Sequence, residues 1–151
     1  MKKVLLLSLV LLFALAASAQ SSLKFAFKDL TGKDFTQANL KPGMPVMVFF
    51  FDPYCDHCEA QAKAIREAKA KFAHVQFVWV TTESAEAAKK FRDAQFGPTF
   101  PNMHVLTDPK FQFDAYFGYT EVSTSHLFNK DWKKTKTFTH ETTAAELLKY
   151  L

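Results

Sequence analysis

The stretch that decides the fold runs from residue 46 to residue 59 and reads VMVFFFDPYCDHCE. Val46 to Phe51 is an uninterrupted run of β-branched, aromatic and other apolar residues, a pattern typical of a strand buried on both faces in a largely parallel sheet. Glu59 to Phe72 is rich in Ala, Lys, Glu and Arg, with apolar residues at helical spacing, which predicts a helix. We therefore expect Cys55 and Cys58 at a turn between a strand and a helix.

The remaining chain continues this alternation of strands and helices. Leu23 to Lys28, followed by a turn at residues 31–33, predicts an edge strand and a hairpin. The sequence then predicts a strand at 75–80, a helix from 85 to about 94 capped by Ser84, and a strand at 103–106. A closing hairpin is expected at 125–139, followed by a last helix capped by Thr143. This order predicts one α/β domain, a three-layer sandwich with helices on both faces of a central mixed sheet.

Composition limits the number of domains and the partners. The 151 residues are 48% hydrophobic, which supports a single domain with one sizeable core. The formal net charge is +4, of which Lys2 and Lys3 supply two. The densest basic group is interrupted by Asp131 and Trp132 and consists of Lys130, Lys133, Lys134 and Lys136. This signal is too weak to predict nucleic-acid binding.

The N-terminal residues have the pattern of an export signal. Lys2 and Lys3 precede an apolar run from Val4 to Ala17, and small residues at 17–19 form a cleavage site before Gln20. The run is shorter than the roughly 20 residues of a membrane-spanning helix, and no later segment is long and apolar enough to span. We expect a signal peptide at 1–19, a mature domain at 20–151 without a membrane span, and a periplasmic or other extracytoplasmic location.

The two cysteines have the spacing of a redox pair. Export places them in an oxidising compartment, where a disulfide persists. A bridge between Cys55 and Cys58 would close too short a loop to constrain the unfolded chain, so chemistry explains the pair better than stapling does. At a helix start, the positive end of the helix stabilises the first sulfur as a thiolate. Cys55 is therefore the expected nucleophile, and Cys58 is expected to resolve the mixed disulfide.

Charged and aromatic neighbours flank the pair. A protonated His57 would favour the Cys55 thiolate, whereas the carboxylate of Asp56 opposes it, and His57 could equally be an exposed spacer. Asp52 and Glu59 could relay the proton of the resolving thiol, with solvated surface charge as the alternative. Tyr54 is expected to shape an apolar rim for a polypeptide substrate or to pack on the helix.

The export signal, the segment FFDPYCDHCE at residues 50–59 and the βαβ order together resemble the exported TlpA/ResA-like branch of the thioredoxin-fold family. The resemblance covers most of residues 22–151. It implies a thioredoxin-like fold and a catalytic Cys55-Cys58 dithiol without a cofactor. It also implies reduction of protein disulfides outside the cytoplasm, with electrons from a membrane-bound or exported redox partner.

The chain departs from this family at one loop. Members usually place a cis-proline before the strand that faces the active site, where it contacts substrate and shields the cysteines. Residues 119–128 read YTEVSTSHLF, and Ser123 or Thr124 falls at that position. Both are therefore substrate-loop candidates, together with Tyr54.

The chain departs from the cysteine motifs of two other activities, those of peroxiredoxins and of copper carriers. A peroxiredoxin would carry P-x-x-x-T/S-x-x-C, but Asp52 stands where that motif has Thr or Ser. A carrier of copper or another soft metal could use Cys55, His57 and Cys58 as ligands. Copper-delivery relatives of this fold usually show C-x-x-x-C, so no metal site is predicted, although His104, His126 and His140 are available as further ligands.

Overall fold

The structure, a computed structural model, describes residues 22–97 and 100–151. The strands within these ranges form one seven-stranded sheet. The strands are β1 (Ala26–Asp29), β2 (Asp34–Thr36), β3 (Val46–Phe50), β4 (Gln76–Thr81), β5 (Met103–Thr107), β6 (Ser125–Phe128) and β7 (Lys134–Phe138). The helices are α1 (Asp56–Glu67), α2 (Ala85–Gln95), α3 (Phe113–Phe117) and α4 (Ala144–Leu147). Across the sheet the order is β2-β1-β5-β4-β3-β6-β7. Strands β3, β4 and β5 are parallel and the other pairs antiparallel, so the sheet is mixed.

Strand β3 contributes to both hydrophobic cores. Met47 and Phe49 pack with residues of α1, α2 and α4, whereas Val46 and Val48 pack with residues of α3. Successive side chains of a strand point to opposite faces, so a run buried on both faces must be apolar throughout. The helices therefore lie on both sides of the sheet, and the predicted α/β three-layer sandwich is confirmed.

Aromatic rings fill the core that faces α1 and α2. Phe49 stacks on Trp79 with ring centroids 4.5 Å apart, and Phe51 lies 4.7 Å from Phe91. Such rings bury large apolar areas and favour offset or edge contacts. This core borders the dithiol, because Cys58 belongs to the same buried cluster.

Several element boundaries differ from the sequence prediction. Helix α1 begins before Glu59, and Phe72 lies in a separate 3-10 turn, Lys69–Phe72. The hairpin at residues 26–36 is present, but the edge strand is β2, because β1 also pairs with β5. Helix α3 was not expected from the sequence; it is a single turn, and the carboxylate of the preceding Asp108 accepts from the N–H groups of Gln112 and Phe113. Ser84 and Thr143 cap α2 and α4 as expected.

The expected signal peptide at 1–19 lies outside the described residues. Within the described part of the chain, no helix combines the length and the apolar character that crossing a membrane requires.

His126 is a buried histidine on β6. Its Nδ1 lies 3.1 Å from Thr137 Oγ1, and its ring stacks on Phe117 at 5.4 Å. Its Nε2 is buried without a hydrogen-bond partner among the described residues. Burial, with a smaller contribution from the charge of Lys134, lowers the pKa of His126 to about 4. The folded protein therefore holds this ring neutral at pH 7.

Substituting His126→Gln should make the protein less sensitive to acid. An unfolded imidazole has a pKa of about 6.5. The unfolded chain therefore binds more protons than the folded chain as the pH falls from about 6.5 to about 4. This difference should lower the free energy of unfolding by about 2 kcal/mol between pH 7.5 and pH 5 in the native protein. Urea unfolding at both pH values measures the loss.

The variant should lose about 2 kcal/mol less than the native protein over the same interval. Burial also lowers the pKa of His104, but that residue is present in both proteins, so its contribution cancels. An equal loss in both proteins would contradict the assignment to His126.

Candidate active site

Cys55 lies at the junction between β3 and α1. It is the N-cap residue of α1 and has an extended backbone, with φ −96° and ψ 120°. Its N–H donates to the Asp52 carbonyl oxygen at 3.2 Å, and its own carbonyl oxygen accepts from the N–H groups of Cys58 and Glu59. The predicted position of the dithiol at a strand-to-helix turn is confirmed.

The two sulfurs differ in exposure. Cys55 is half-buried, whereas Cys58 lies one helical turn further on and is 1% exposed. Both are free thiols. Cys55 is therefore the sulfur that a molecule approaching from solvent reaches, and Cys58 lies behind it against the core.

Their electrostatic environments also differ. Burial acts to raise the pKa of Cys55, but hydrogen bonds from the Cys58 backbone N–H and thiol, the Ser123 hydroxyl and the His57 backbone N–H outweigh it. The pKa of the Cys55 thiol consequently lies below its ordinary value. Deeper burial raises the pKa of Cys58 to about 11, although the Ser123 hydroxyl and the Asp52 backbone N–H act in the opposite direction. Cys55 is the sulfur that ionises first.

Ser123 faces the dithiol from the loop before β6. Its Oγ lies 3.4 Å from Cys58 Sγ and 3.7 Å from Cys55 Sγ. Its N–H donates to the Phe50 carbonyl oxygen at 3.0 Å, and the Phe50 N–H donates to the Thr124 carbonyl oxygen at 2.9 Å. Of the two loop candidates, the structure brings Ser123 to the sulfurs, whereas Thr124 is buried and pairs with β3 through its backbone.

The backbone at Ser123 excludes a proline. Its φ is 75°, in the left-handed region, whereas proline holds φ near about −65° and has no N–H to donate to Phe50. The described residues contain no cis peptide bond. The loop therefore approaches the cysteines with a different backbone from the one that the resemblance implies.

Four polar side chains were predicted to flank the sulfurs: Asp52, Asp56, His57 and Glu59. Among the described residues, none of these side chains makes a hydrogen bond to either sulfur. The Asp52 Oδ1 accepts from the Tyr54 N–H at 2.8 Å. Asp56 and Glu59 are exposed in the first turn of α1, where the helix dipole favours negative charge. The His57 ring points to Glu141, with Nδ1 3.0 Å from Oε2, so its backbone N–H is the part that acts on Cys55.

A second connection joins α1 to the C-terminal segment. The Gln61 side chain donates to the Thr142 carbonyl oxygen at 2.9 Å and accepts from the Thr142 N–H at 2.6 Å. Together with the His57–Glu141 contact, this pair fixes the first two turns of α1 against the residues that precede α4. Sequence reasoning missed Glu141 and Thr142, because they lie far from the cysteines in the chain.

Three exposed apolar side chains, here called the apolar rim, lie on the segments that flank the sulfurs. Tyr54 is 76% exposed beside Cys55, and Tyr119 and Val122 are 85% and 40% exposed in the loop that leads to Ser123. Tyr54 therefore does not pack on the helix. Tyr119 and Val122 were missed, although they fall within the loop segment that the sequence analysis aligned.

Two of the histidines named as possible metal ligands pack in other parts of the fold, and the third, His140, is exposed in the segment that precedes α4. His104 packs on Phe35 at 4.9 Å, and His126 packs on Phe117 in the α3 layer. Within residues 22–97 and 100–151, no group of three or more His, Cys, Asp or Glu side chains could hold a metal ion.

Residues 19–138, most of the chain, match the AhpC/TSA family. The chain belongs to this family. Among its relatives, the soluble secreted antigen MPT53 of Mycobacterium tuberculosis is 28% identical over 103 residues. That match covers 65% of this chain but only 59% of the length of MPT53.

Solved structures show how widely this AhpC/TSA family member shares its fold. A secreted Mycobacterium tuberculosis disulfide oxidoreductase homologous to E. coli DsbE superposes with a TM-score of 0.68 at 24% identity, covering 85% of this chain and 94% of its own. The peroxidoxin BcpB of the same organism superposes with a TM-score of 0.71 at 20% identity, covering 86% of this chain and 92% of its own. At such low identities these superpositions show the thioredoxin-like fold alone, and the reaction must be argued from the site.

Alkylation should distinguish the two thiols of this AhpC/TSA family member. With a pKa of about 11, only about one Cys58 thiol in ten thousand is ionised at pH 7, and the thiolate is the form that reacts. We expect iodoacetamide to modify Cys55 at least about a hundredfold faster than Cys58, as measured by peptide mass spectrometry. The Cys55→Ser variant is the control and should remain largely unmodified. Equal rates at the two positions would refute the assigned asymmetry.

Proposed function

We propose that this protein is an exported thiol-disulfide oxidoreductase that acts on protein disulfides through Cys55 and Cys58. The observation that carries the proposal is the pairing of an accessible thiol of lowered pKa with a buried thiol of raised pKa at the start of one helix. A nucleophile must be ionised and reachable, whereas a resolving thiol must stay protonated until it is needed.

In the proposed reaction the Cys55 thiolate attacks one sulfur of a substrate disulfide. A mixed disulfide forms, and the other substrate sulfur leaves as a thiolate. Cys58 then loses its proton and attacks the Cys55 sulfur, which closes the Cys55-Cys58 disulfide and releases the second substrate sulfur. Two electrons pass to the substrate, and the released sulfurs take up protons from solvent.

We further propose that the protein works as a reductase. The resemblance to the TlpA/ResA-like branch supports this direction. Each cycle leaves Cys55 and Cys58 oxidised, so a membrane-bound or exported redox partner must return two electrons. The secreted disulfide oxidoreductase that shares the fold supports the same class of reaction.

Variants of the two cysteines should separate their roles. Cys55→Ser should abolish reduction of a disulfide-linked peptide, because the nucleophile is lost. Cys58→Ser should still attack but accumulate mixed disulfides at Cys55, which non-reducing electrophoresis and mass spectrometry detect. The double variant is the control and should form no adduct. An active Cys55→Ser variant, together with a Cys58→Ser variant that traps nothing, would refute the roles.

The equilibrium reduction potential of the Cys55-Cys58 pair tests the direction. A value of about −270 mV supports a reductase, whereas a value of about −120 mV makes the protein an oxidant of substrate thiols.

The alternative function, transport of copper or another soft metal, would gain support if no disulfide formed and the reduced protein bound copper(I) tightly without turnover. Because Asp52 replaces the peroxiredoxin hydroxyl, we expect only substoichiometric peroxide consumption.

The apolar rim supports a polypeptide substrate. Tyr54, Tyr119 and Val122 expose apolar surface on the two segments that carry Cys55 and Ser123. Exposed aromatic residues of this kind are common at sites where proteins bind each other.

Removing a rim ring should weaken peptide binding more than chemistry. We expect Tyr54→Ser and Tyr119→Ser each to raise KM for a disulfide-linked peptide about tenfold, because each loses a large apolar contact. The control substrate is a small aromatic disulfide, which spans less of the rim and should show a much smaller change. Equal losses on both substrates would argue against docking at the rim.

Export is proposed from the pattern at residues 1–19. The secreted relative MPT53 supports it. The predicted mature protein, recovered outside the cytoplasm, should begin at Gln20.

A further inference from the structure

One hydroxyl group lies within hydrogen-bonding reach of both sulfurs. Ser123 Oγ is 3.4 Å from Cys58 Sγ and 3.7 Å from Cys55 Sγ. A serine hydroxyl carries one proton and two lone pairs. It can therefore donate to the Cys55 sulfur or to the Cys58 sulfur, but to only one of them at a time.

The two steps of disulfide exchange require negative charge on different sulfurs. The first step needs the Cys55 thiolate, and the second needs a thiolate at Cys58, which burial opposes. The carboxylate of Asp52 accepts from the Tyr54 N–H, and among the described residues no hydrogen bond joins it to the Cys58 thiol. Of the described side chains, the Ser123 hydroxyl is the one that hydrogen-bonds to both sulfurs.

The backbone at Ser123 supports a role for its side chain. A serine with φ 75° is strained, whereas glycine adopts this conformation without cost. Strained positions of this kind are found at functional sites. The chain therefore keeps a hydroxyl-bearing side chain where glycine would be more stable.

We propose that Ser123 is a catalytic residue whose hydroxyl proton switches from the Cys55 sulfur in the dithiol to the Cys58 sulfur in the mixed disulfide. The inference rests on the proposed thiol-disulfide exchange. Once Cys55 is bonded to substrate it carries no charge, and the ionising Cys58 becomes the stronger acceptor.

In the second step, in which Cys58 resolves the mixed disulfide, protons and electrons balance. Cys58 gives its proton to solvent while the Ser123 hydroxyl donates to its sulfur. The Cys58 sulfur bonds to Cys55, the bond between Cys55 and the substrate breaks, and the electron pair leaves on the substrate sulfur. That sulfur takes up a proton from solvent, so the substrate is reduced and the dithiol oxidised.

Two variants test this proposal as a matched pair. Ser123→Ala and Ser123→Gly both remove the hydroxyl, but alanine keeps the backbone strain and glycine relieves it. The probe is dithiobis-nitrobenzoate, which releases one coloured thiolate when Cys55 attacks and a second when Cys58 resolves. Stopped-flow absorbance of the reduced protein at a series of pH values records both releases.

We expect both variants to slow the second release about tenfold at pH 7 and to move the midpoint of its pH profile upward, because the Cys58 thiolate has lost its donor. A purely structural role would leave that midpoint in place. Glycine is unstrained at this φ, so misfolding would not account for a slow Ser123→Gly variant.

The outcomes separate this inference from the proposed function. If the native protein releases two thiolates and both variants resolve within twofold of it, the role of Ser123 is overturned while the exchange reaction stands. If only Ser123→Ala is slow, backbone strain is the cause, and the role is again overturned. If the native protein releases a single thiolate, the exchange reaction itself is wrong.

Discussion

Strand β3 positions the whole site, because it is paired on both edges and buried on both faces. Its partners are β4, which runs parallel, and β6, which runs antiparallel. A slip of one residue would exchange its two buried faces, so the register is strongly specified. From the same strand end at Phe50, the chain turns into Cys55 on one side and holds the Ser123 backbone on the other.

This geometry gives two chemically identical groups different properties. Cys55 and Cys58 are one helical turn apart, yet one lies at the helix N-cap among N–H donors and the other lies within an aromatic core. Burial and backbone hydrogen bonds, more than the neighbouring side-chain charges, account for the difference in their pKa values. The His57 ring and the Asp52 carboxylate have partners elsewhere.

Local patterns predicted most of the fold. The apolar run of β3, the caps at Ser84 and Thr143 and the dithiol at the turn all depend on neighbours within a few residues. Helix α3 was missed because its five residues are too few for a helical spacing of apolar side chains to appear in the sequence. The contacts of Glu141 were missed because nothing in a single sequence reports pairing between distant segments, whereas Ser123 was expected near the cysteines only through the family resemblance. The C-x-x-C motif predicted where the two thiols lie, whereas their different environments required the structure.

The connection between α1 and the C-terminal segment has a consequence for biosynthesis. Contacts from His57, Cys58 and Gln61 reach partners 84, 65 and 81 residues further along the chain. A growing chain therefore presents both cysteines before Ser123 and the partners of α1, Glu141 and Thr142, have been added. Formation of α1 alone supplies the backbone N–H groups that act on the Cys55 sulfur, whereas the Ser123 hydroxyl joins them only when its loop folds back onto β3. The environment of the two thiols is therefore assembled in two stages, first within α1 and then by segments that follow α1 in the chain.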